Sequence, residues 1–274
     1  MAATLYLVAT PIGNLEDITF RAVRILREVS RIACEDTRQT RKLLEHYGIR
    51  TPTLSYHEHN ERARAGELMD ELAGGLSIAL VSDSGMPLIS DPGYRLVEAA
   101  IQRGFRVEPV PGPTAALTAL AASGLPADAF YFGGFLPAKA TRRRKLFETL
   151  AAQSATLVFY EAPHRILETL ADLCLVLGAR PVVVAREMTK VHEEFLRGPA
   201  DEVLRVLSQR TSIKGEITLL IRGEAAIAVD EPPVPVAVAS LMEDGWSRMD
   251  AIKETARRRA VGKREVYRLL EEGK

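Results

Sequence analysis

Short strand-forming runs alternate with amphipathic helical patterns through the first 122 residues, and this alternation constrains the fold more than any other feature. The predicted strands are residues 5–8, 31–34, 53–55, 78–81 and a run around Val107. The predicted helices are residues 18–29, 37–47, 62–72, 94–103 and 114–122. Strands and helices that alternate at this spacing form a parallel sheet with helices on both faces. We therefore predict an α/β domain at residues 1–122.

The second half contains more strand patterns than the first. Ser123-Gly124-Leu125-Pro126 indicates a boundary, because glycine and proline interrupt regular elements. The predicted strands beyond it are residues 130–133, 155–160, 182–186, 193–197 and 216–221. The predicted helices are residues 142–150, 166–177 and 201–208. This pattern predicts a second α/β domain with a mixed sheet at residues 123–228.

A proline-rich segment precedes the C-terminal region. Asp230-Glu231-Pro232-Pro233-Val234-Pro235 is typical of a semi-rigid linker. Helical patterns follow at residues 236–242, 248–258 and 263–271, with Ser247 expected to cap the second of them. We predict a linker and a helix-turn-helix-like extension at residues 229–274.

Composition is that of an ordinary globular protein, with 47% hydrophobic and 26% charged residues. The 36 basic and 36 acidic side chains cancel, so any nucleic-acid surface must arise from local clusters. Cys34 and Cys174 lack metal-binding spacing, which favours a reducing, cytoplasmic setting. The apolar run at residues 4–10 is too short for a secretion signal and lacks a basic leader. No apolar run approaches the roughly 20 residues that span a bilayer.

Three loops rich in glycine, proline, serine and aspartate follow predicted strands, at residues 10–15, 82–93 and 110–114. Ligands of open parallel sheets bind outside the carboxyl ends of the strands. Glycine lets the backbone approach a ligand, and proline stiffens a loop. A simple turn explains any one of these loops, but the loop at 82–93 is longer than a turn requires. We expect the three loops to form one site.

Asp83 is the strongest single candidate in these loops, because it directly follows a buried strand. Its carboxylate could bind a cation, an amine or ribose hydroxyls, or it could cap a turn. Asp91 precedes Pro92-Gly93 and is expected to cap the next helix. The chain contains neither G-x-G nor G-x-x-x-x-G-K, so a nucleoside-like cofactor would bind by another geometry.

Further polar residues cluster in Glu35-Asp36-Thr37-Arg38, in His57-Glu58-His59-Asn60 and in Arg186-Glu187-Met188-Thr189-Lys190. His57 and His59 would project to one face of an extended segment, as metal ligands can. No carboxylate or cysteine completes a recognised set, so we expect no metal and favour hydrogen bonding to a polar substrate. Glu35 or Asp36 is expected to cap the helix that starts at residue 37.

Two basic clusters occur, Arg142-Arg143-Arg144-Lys145 and Arg257-Arg258-Arg259 with Lys263-Arg264. Such runs are usually solvated helix faces. The second cluster falls at the turn of the helix-turn-helix-like extension, where contact with phosphates is geometrically easy.

Ordered blocks across residues 4–221 resemble the bacterial small-subunit 16S ribosomal RNA (cytidine-2′-O)-methyltransferases of the tetrapyrrole methylase superfamily. The matching blocks are residues 7–15, 34–38, 82–87, 89–93, 110–115, 159–165, 186–190 and 214–216. Ala162 and Met188 depart from it, where serine and leucine are expected. The C-terminal extension also resembles that of the family.

The resemblance implies that S-adenosylmethionine binds between two α/β domains. The residues implied in cofactor binding are Pro11, Asp83, Gly85, Met86, Pro113, Thr114, Ala115, Tyr160, Gly215 and Glu216. The implied reaction is 2′-O-methylation of a cytidine ribose in 16S ribosomal RNA, near the decoding centre. The implied setting is a cytoplasmic homodimer that acts on 16S rRNA or on the 30S subunit.

Two further sets of residues are hypotheses from their position in polar or basic blocks. Glu35, Glu187 and Lys190 are the candidates for polar or basic help in catalysis. The candidates for RNA contact are Arg38, His57, His59, Arg142, Arg143, Arg257, Arg258, Lys263 and Arg264. Three alternatives remain at this point: a methylase of small tetrapyrroles, a non-catalytic RNA-binding protein, and a metal-dependent hydrolase built on Asp83 and Asp91.

Overall fold

The computed structural model describes residues 3–224, 232–259 and 261–272. Its contacts divide the chain into two compact units, Met1–Gly223 and Glu224–Lys274. The predicted boundary at 122/123 falls at the end of a helix inside the first unit. The predicted boundary at 228/229 lies outside the described residues.

The first sheet is entirely parallel and has the strand order β3-β2-β4-β1-β5. Its strands are β1 (Thr4–Val8), β2 (Arg31–Cys34), β3 (Thr53–Ser55), β4 (Ile78–Val81) and β5 (Arg106–Val110). Its helices are α1 (Phe20–Glu28), α2 (Thr37–His46), α3 (Glu61–Ala73), α4 (Tyr94–Gln102) and α5 (Ala115–Ser123). A short 3-10 helix, Leu15–Asp17, follows β1.

Helices cover both faces of this sheet, as the sequence predicts. Neighbouring strand residues point to opposite faces, so Ala79 packs with α1 and α2 whereas Leu80 packs with α3 and α4. Strands buried on both faces read as continuous apolar runs, which is why Ile78–Val81 is apolar throughout.

The second sheet is mixed and has the order β6-β7-β10-β8-β9, in which only β6 and β7 are parallel. Its strands are β6 (Phe130–Phe135), β7 (Thr156–Glu161), β8 (Pro181–Arg186), β9 (Glu194–Pro199) and β10 (Ile217–Ile221). Helices α6 (Ala140–Thr149), α7 (Ile166–Leu177) and α8 (Ala200–Ser208) cover one face. The other face packs against α5 and against Ile12 and Met188. The loop after β1 therefore lies against the second sheet.

The second unit has its own small core. Helices α9 (Val234–Glu243), α10 (Arg248–Arg258) and α11 (Lys263–Glu272) bury Val238, Ile252 and Val266 among other apolar side chains. Ser247 caps α10 by accepting a hydrogen bond from the Asp250 nitrogen at 3.2 Å, as predicted.

The first helix of the second unit begins two residues earlier than the sequence predicts, inside the predicted linker. Val234 and Pro235 form the first turn of α9, where proline fits because its missing N–H has no helical partner. Asp230 and Glu231 lie outside the described residues. Among the helices that the structure describes, none combines the length and apolarity needed to cross a membrane.

Candidate functional site

Loops from three adjacent strands meet at the carboxyl edge of the first sheet. The loop after β1 pairs with the loop after β4, since Thr10 N donates to Gly85 O at 2.9 Å and Gly85 N donates to Thr10 O at 3.1 Å. On its other side, Ala9 N donates to Val110 O at 3.3 Å. The parallel order β4-β1-β5 thus brings together the three loops that the sequence singles out.

A cavity of about 380 Å³, called here the first cavity, lies between these loops and the second sheet. Its lining from the first-sheet loops is Ile12, Asp83, Ser84, Gly85, Met86, Ile89, Ser90, Asp91, Thr114 and Ala115. Its lining from the second sheet and its loops is Phe135, Tyr160, Glu161, Ala162, Pro163, Met188, Gly215, Glu216, Ile217 and Thr218. The site combines apolar walls with a few carboxylates.

A second cavity, also of about 380 Å³, adjoins the first. It is lined by residues 10–13 and 15 of the β1 loop, by residues 39, 40, 42 and 43 of α2, by residues 82–84, and by Lys190 and Glu216. Ile12, Asp83, Ser84 and Glu216 line both cavities and form a shared wall.

Most of the residues implied in cofactor binding lie together. Asp83, Gly85, Met86, Thr114, Ala115, Tyr160, Gly215 and Glu216 line the first cavity. Pro11 lines only the second cavity, and Pro113 lines neither. The two departures from the family pattern, Ala162 and Met188, are also part of the first cavity wall.

Asp91 lines the first cavity, although it is absent from the residues implied in cofactor binding. The expectation that it caps α4 is wrong, because the N-cap is Gly93 at φ +136° and no side chain caps that helix. Burial raises the pKa of Asp91 to about 6, and the negative charge of Glu35 adds to the rise while the Ser82 hydroxyl opposes it. No local motif signals this role, since D-P-G also begins ordinary helices.

Asp83 lies on the shared wall and is tied to α2. Its Oδ1 accepts a hydrogen bond from the Asp36 nitrogen at 3.1 Å. Partial loss of solvation raises the pKa of Asp83, the hydrogen bond from Asp36 lowers it, and the charge of Asp36 raises it again. The net direction is upward, so the Asp83 carboxylate holds a proton more readily than a free aspartate does.

Asp36 and Glu35 differ in their contacts and in their pKa values. Asp36 caps α2 by accepting from the Arg38 nitrogen at 2.8 Å, so one of the two acidic residues is a cap, as expected. Its hydrogen bonds with Arg38 lower the pKa of Asp36 to about 2. Burial and the charge of Asp83 raise the pKa of Glu35, but Glu35 lines neither cavity.

Lys190 links two carboxylates at the edge of the cavities. Its Nζ lies 2.9 Å from Glu187 Oε1 and 3.0 Å from Glu216 Oε2. Glu187 Oε1 also accepts from the Glu216 nitrogen at 2.9 Å. This arrangement joins the loop after β8 to the residues before β10, and we call it the Lys190 clamp.

Close packing and backbone strain accompany the Lys190 clamp. Glu187 and Thr189 adopt φ values of +50° and +64°, which non-glycine residues rarely do. A Cβ on Gly215 would lie 2.3 Å from Glu187 Cγ, and one on Gly13 would lie 2.6 Å from Lys190 Cγ. Glycine is favoured at position 13 because a Cβ would also lie 2.9 Å from the Met188 carbonyl oxygen, and at position 215 because the backbone adopts φ +94°.

The protonation of the clamp argues against proton transfer by Lys190. Burial opposes the ammonium charge, but hydrogen bonds to Glu187 and Glu216 outweigh it and raise the pKa of Lys190. The hydrogen bond from Lys190 in turn lowers the pKa of Glu187. At neutral pH Lys190 has no free lone pair and Glu187 is a weak base, so both groups fit positioning better than proton acceptance.

Arg143 corrects the predicted RNA surface. Its side chain is 1% exposed, and its Nε donates to Asp172 Oδ2 at 2.8 Å. It occupies the buried face of α6 together with Phe147. The prediction that Arg143 contacts RNA is wrong, because the guanidinium is enclosed and already paired. Arg142 beside it is exposed.

The other predicted RNA residues of the first unit lie on or near its surface. Arg38 is exposed and paired with Asp36 at 2.8 Å. His59 is exposed, and its ring centroid lies 5.9 Å from that of the partly buried His57. His57 Nε2 accepts from Asn60 Nδ2 at 3.1 Å. Within residues 3–224, 232–259 and 261–272, no cluster of three or more His, Cys, Asp or Glu side chains suits a metal ion.

The basic residues of the second unit differ in their pairing. Arg257 and Arg258 lie 2.7 and 2.9 Å from Glu254 Oε1, which offsets part of their charge. Lys263 and Arg264 are exposed in the first turn of α11.

Comparison with known proteins gives consistent matches. The family model described as Tetrapyrrole (Corrin/Porphyrin) Methylases matches residues 4–204. The chain is 50% identical over 272 residues to the ribosomal RNA small subunit methyltransferase I of Halalkalibacterium halodurans, covering 97% of this chain and 94% of the relative. It is 45% identical to the protein of that name from Escherichia coli O157:H7, covering 96% and 93%.

Solved structures share the fold at low identity. Diphthine synthase matches with a TM-score of 0.62 and 13% identity, covering 80% of this chain and 90% of that chain. Uroporphyrin-III-C-methyltransferase from Thermus thermophilus matches with a TM-score of 0.57 and 21% identity, covering 80% and 94%. At these identities the likeness shows the fold alone.

Proposed function

Because the chain belongs to the tetrapyrrole methylase family, and within it to the ribosomal RNA small subunit methyltransferases I, we propose that this methyltransferase transfers a methyl group from S-adenosylmethionine to small-subunit ribosomal RNA. The observation that carries the proposal is the 50% identity to a protein of that name over 97% of the chain. The acceptor that we propose is the 2′-hydroxyl of a cytidine near the decoding centre.

The residues of the first cavity fit S-adenosylmethionine. Its volume of about 380 Å³ lies in the range of roughly 300–1,000 Å³ of small-molecule sites. Ile12, Met86 and Met188 offer apolar surface to a purine ring. Asp83 and Asp91 offer negative charge to the sulfonium and acceptors to ribose hydroxyls and to the amino group.

When bound, S-adenosylmethionine supplies a methyl group that the positive charge on its sulfur activates. The chain itself then has two tasks, which are to position the acceptor oxygen and to take its proton as the new C–O bond forms. The Lys190 clamp holds the wall beside that reaction. Asp83, Asp91 and Glu35 have raised pKa values, which suits proton acceptance better than the lowered pKa of Glu187 does. Glu35 lines neither cavity, so Asp83 and Asp91 are the better-placed proton acceptors, and we propose positioning roles for Glu187 and Lys190.

The test is transfer of labelled methyl groups. The protein is incubated with labelled S-adenosylmethionine and either small ribosomal subunits that lack the modification, naked 16S rRNA, or tetrapyrroles. We expect label in RNA alone, and mass mapping should place it on one cytidine ribose. Label in tetrapyrroles alone would replace this proposal by small-molecule methylation. No binding of the cofactor by calorimetry would remove the enzymatic role.

The assembly that we propose is a homodimer, as the family resemblance implies. Sedimentation of the purified protein at micromolar concentration tests it directly. A single species at the monomer mass would contradict it.

A further inference from the structure

We infer that the second cavity holds the ribose and a flanking phosphate of the RNA nucleotide to be methylated, with Lys42 as a phosphate contact. This inference rests on the proposed function and assigns its acceptor to a specific part of the molecule. Neither the family blocks nor the basic clusters of the sequence point to Lys42.

The shared wall is the first argument. Methyl transfer needs the acceptor oxygen to lie roughly 3–3.5 Å from the methyl carbon, so donor and acceptor must occupy adjoining spaces. The second cavity adjoins the first along Ile12, Asp83, Ser84 and Glu216. A hydroxyl at this wall can reach the first cavity while the rest of its nucleotide stays in the second. The proton of that hydroxyl can then pass to the carboxylate of Asp83, which belongs to the same wall.

The charge of Lys42 is the second argument. Its Nζ donates to Gln39 Oε1 at 2.9 Å, and it forms no ion pair within the described part of the chain. The other cation that lines the second cavity, Lys190, is neutralised by Glu187 and Glu216. Arg38, on the same helix as Lys42, does not line the cavity and is paired with Asp36. Because Lys42 has no carboxylate partner within the described residues, its positive charge is available to a phosphate.

The chemistry of the walls is the third argument. Gln39 brings an amide, and the exposed Ser84 brings a hydroxyl. Leu15 and Leu43 add apolar surface to the lining. A nucleotide has this combination of hydroxyls, a charged phosphate and apolar ring faces, whereas a purely apolar or purely ionic ligand would leave one wall unmatched.

The position of α2 is set by the site itself. Asp36 caps this helix and donates its own N–H to Asp83, so Gln39, Thr40 and Lys42 extend from an anchor on the shared wall. The second cavity is thus built from the same contacts as the first.

The experiment compares Lys42→Ala with Arg103→Ala. Arg103 is an exposed cation at the C-terminus of α4, at the opposite edge of the sheet from the strand carboxyl ends. Cofactor affinity is measured by calorimetry, and KM for small subunits is measured over a range of salt. We expect Lys42→Ala to raise KM about tenfold and to lower the slope of log KM against log salt by about one, as loss of one phosphate contact requires. The Kd of Lys42→Ala for the cofactor should stay within about twofold of the wild-type value. Lys42→Arg, which keeps the positive charge, should have a KM close to that of the wild type.

A second variant tests the space rather than the charge. Leu15 lines only the second cavity, so Leu15→Trp should reduce methyl transfer to RNA while cofactor Kd stays unchanged. Thermal melting checks that this variant is folded.

The outcomes separate the two proposals. If wild-type protein transfers no methyl group to RNA, the proposed function fails and this subsite fails with it. If the wild type is active and Lys42→Ala keeps the KM and salt slope of Arg103→Ala, the subsite alone is wrong. A loss of cofactor affinity in Lys42→Ala would also overturn it, because the two cavities would then not be distinct.

Discussion

Asp83 accepts a hydrogen bond from the backbone nitrogen of Asp36 at 3.1 Å, and this bond joins the carboxyl end of β4 to the first turn of α2. Asp36 in turn caps that helix. Asp83 therefore lines both cavities and also anchors the helix that forms a wall of the second one.

Substitution of Asp83 separates its charge from its hydrogen bond. Asp83→Asn keeps an oxygen that can accept from Asp36 but removes the negative charge, whereas Asp83→Ala removes both. We expect both variants to bind S-adenosylmethionine at least tenfold more weakly, as loss of one contact to a charged group implies. Only Asp83→Ala should also lose about 1 kcal/mol of unfolding free energy. Calorimetry and denaturant titration measure the two effects, and unchanged cofactor affinity in both variants would remove Asp83 from the cofactor site.

The Lys190 clamp should matter for turnover more than for cofactor binding. In Lys190→Ala, Glu187 and Glu216 lose their cation, and the strained turn at Glu187 loses an ion pair that helps to hold it. Small displacements at a reacting centre cost up to roughly a hundredfold in rate, so we expect kcat to fall about ten- to a hundredfold. Glu187→Ala should behave similarly. Wild-type turnover of both variants at saturating cofactor would contradict a role for the clamp.

We expect Asp91 to make cofactor binding depend on pH. Its pKa of about 6 lies well above the ordinary value, mainly because of burial and then because of Glu35 and Asp83. Asp91 gains its charge as the pH rises through about 6, so cofactor affinity should rise over the same interval. Asp91→Asn should flatten this profile and bind less cofactor at pH 8. A profile near pH 6 that is unchanged in Asp91→Asn would show that another group titrates there.

For the stability of the protein, the ionisation of Asp91 has the opposite effect to the one on cofactor binding. An acid whose pKa is raised in the folded state binds more protons when folded, so its contribution to stability falls as the pH rises from about 4 to about 6. Above pH 6 the ionised Asp91 is a cost to folding. We expect Asp91→Asn to raise Tm at pH 7.5, whereas at pH 4 the two proteins should melt closer together. Equal differences in Tm at both pH values would contradict this linkage.

Arg143 should affect stability without affecting RNA affinity. Arg143→Leu leaves Asp172 in the core with Arg144 as its remaining partner, and breaking a buried pair costs roughly 3–5 kcal/mol. Arg142→Ala on the exposed side of the same helix is the matched control, with stability close to that of the wild type. Urea unfolding compares the two variants. A loss of less than 1 kcal/mol in Arg143→Leu would show that Arg144 alone satisfies Asp172.

The sequence predicts the regular elements well because their apolar periodicity is strong. Ile78–Val81 is apolar on both faces, and the helix at Ile166–Leu177 has the bounds that its pattern predicts. The composition of the loops that line the first cavity is also predictable, since glycine and proline accumulate after the strands. What the sequence does not provide is the set of contacts between those loops and the second sheet.

Two errors illustrate this limit. Arg143 stands four residues before Phe147 and seven before Leu150, so it shares their buried helix face, but a run of four basic residues obscures that spacing. The sequence favours Asp91 as a cap of its nearest helix, because capping is a local interaction. Its actual surroundings are Ser82 and Asp83 at the start of its own loop and Glu35 after β2, and these contacts require the tertiary structure.

The packing of α5 and Ile12 on the second sheet has a consequence for folding. Both belong in sequence to the half that forms the first sheet, yet they are part of the apolar cluster that includes Val158, Val183 and Leu220. Separating the two sheets would expose that cluster to water, which opposes independent melting of either half. We therefore expect residues 3–224 to unfold in one cooperative transition, so that the protein loses its methyl-transfer site all at once rather than one wall at a time.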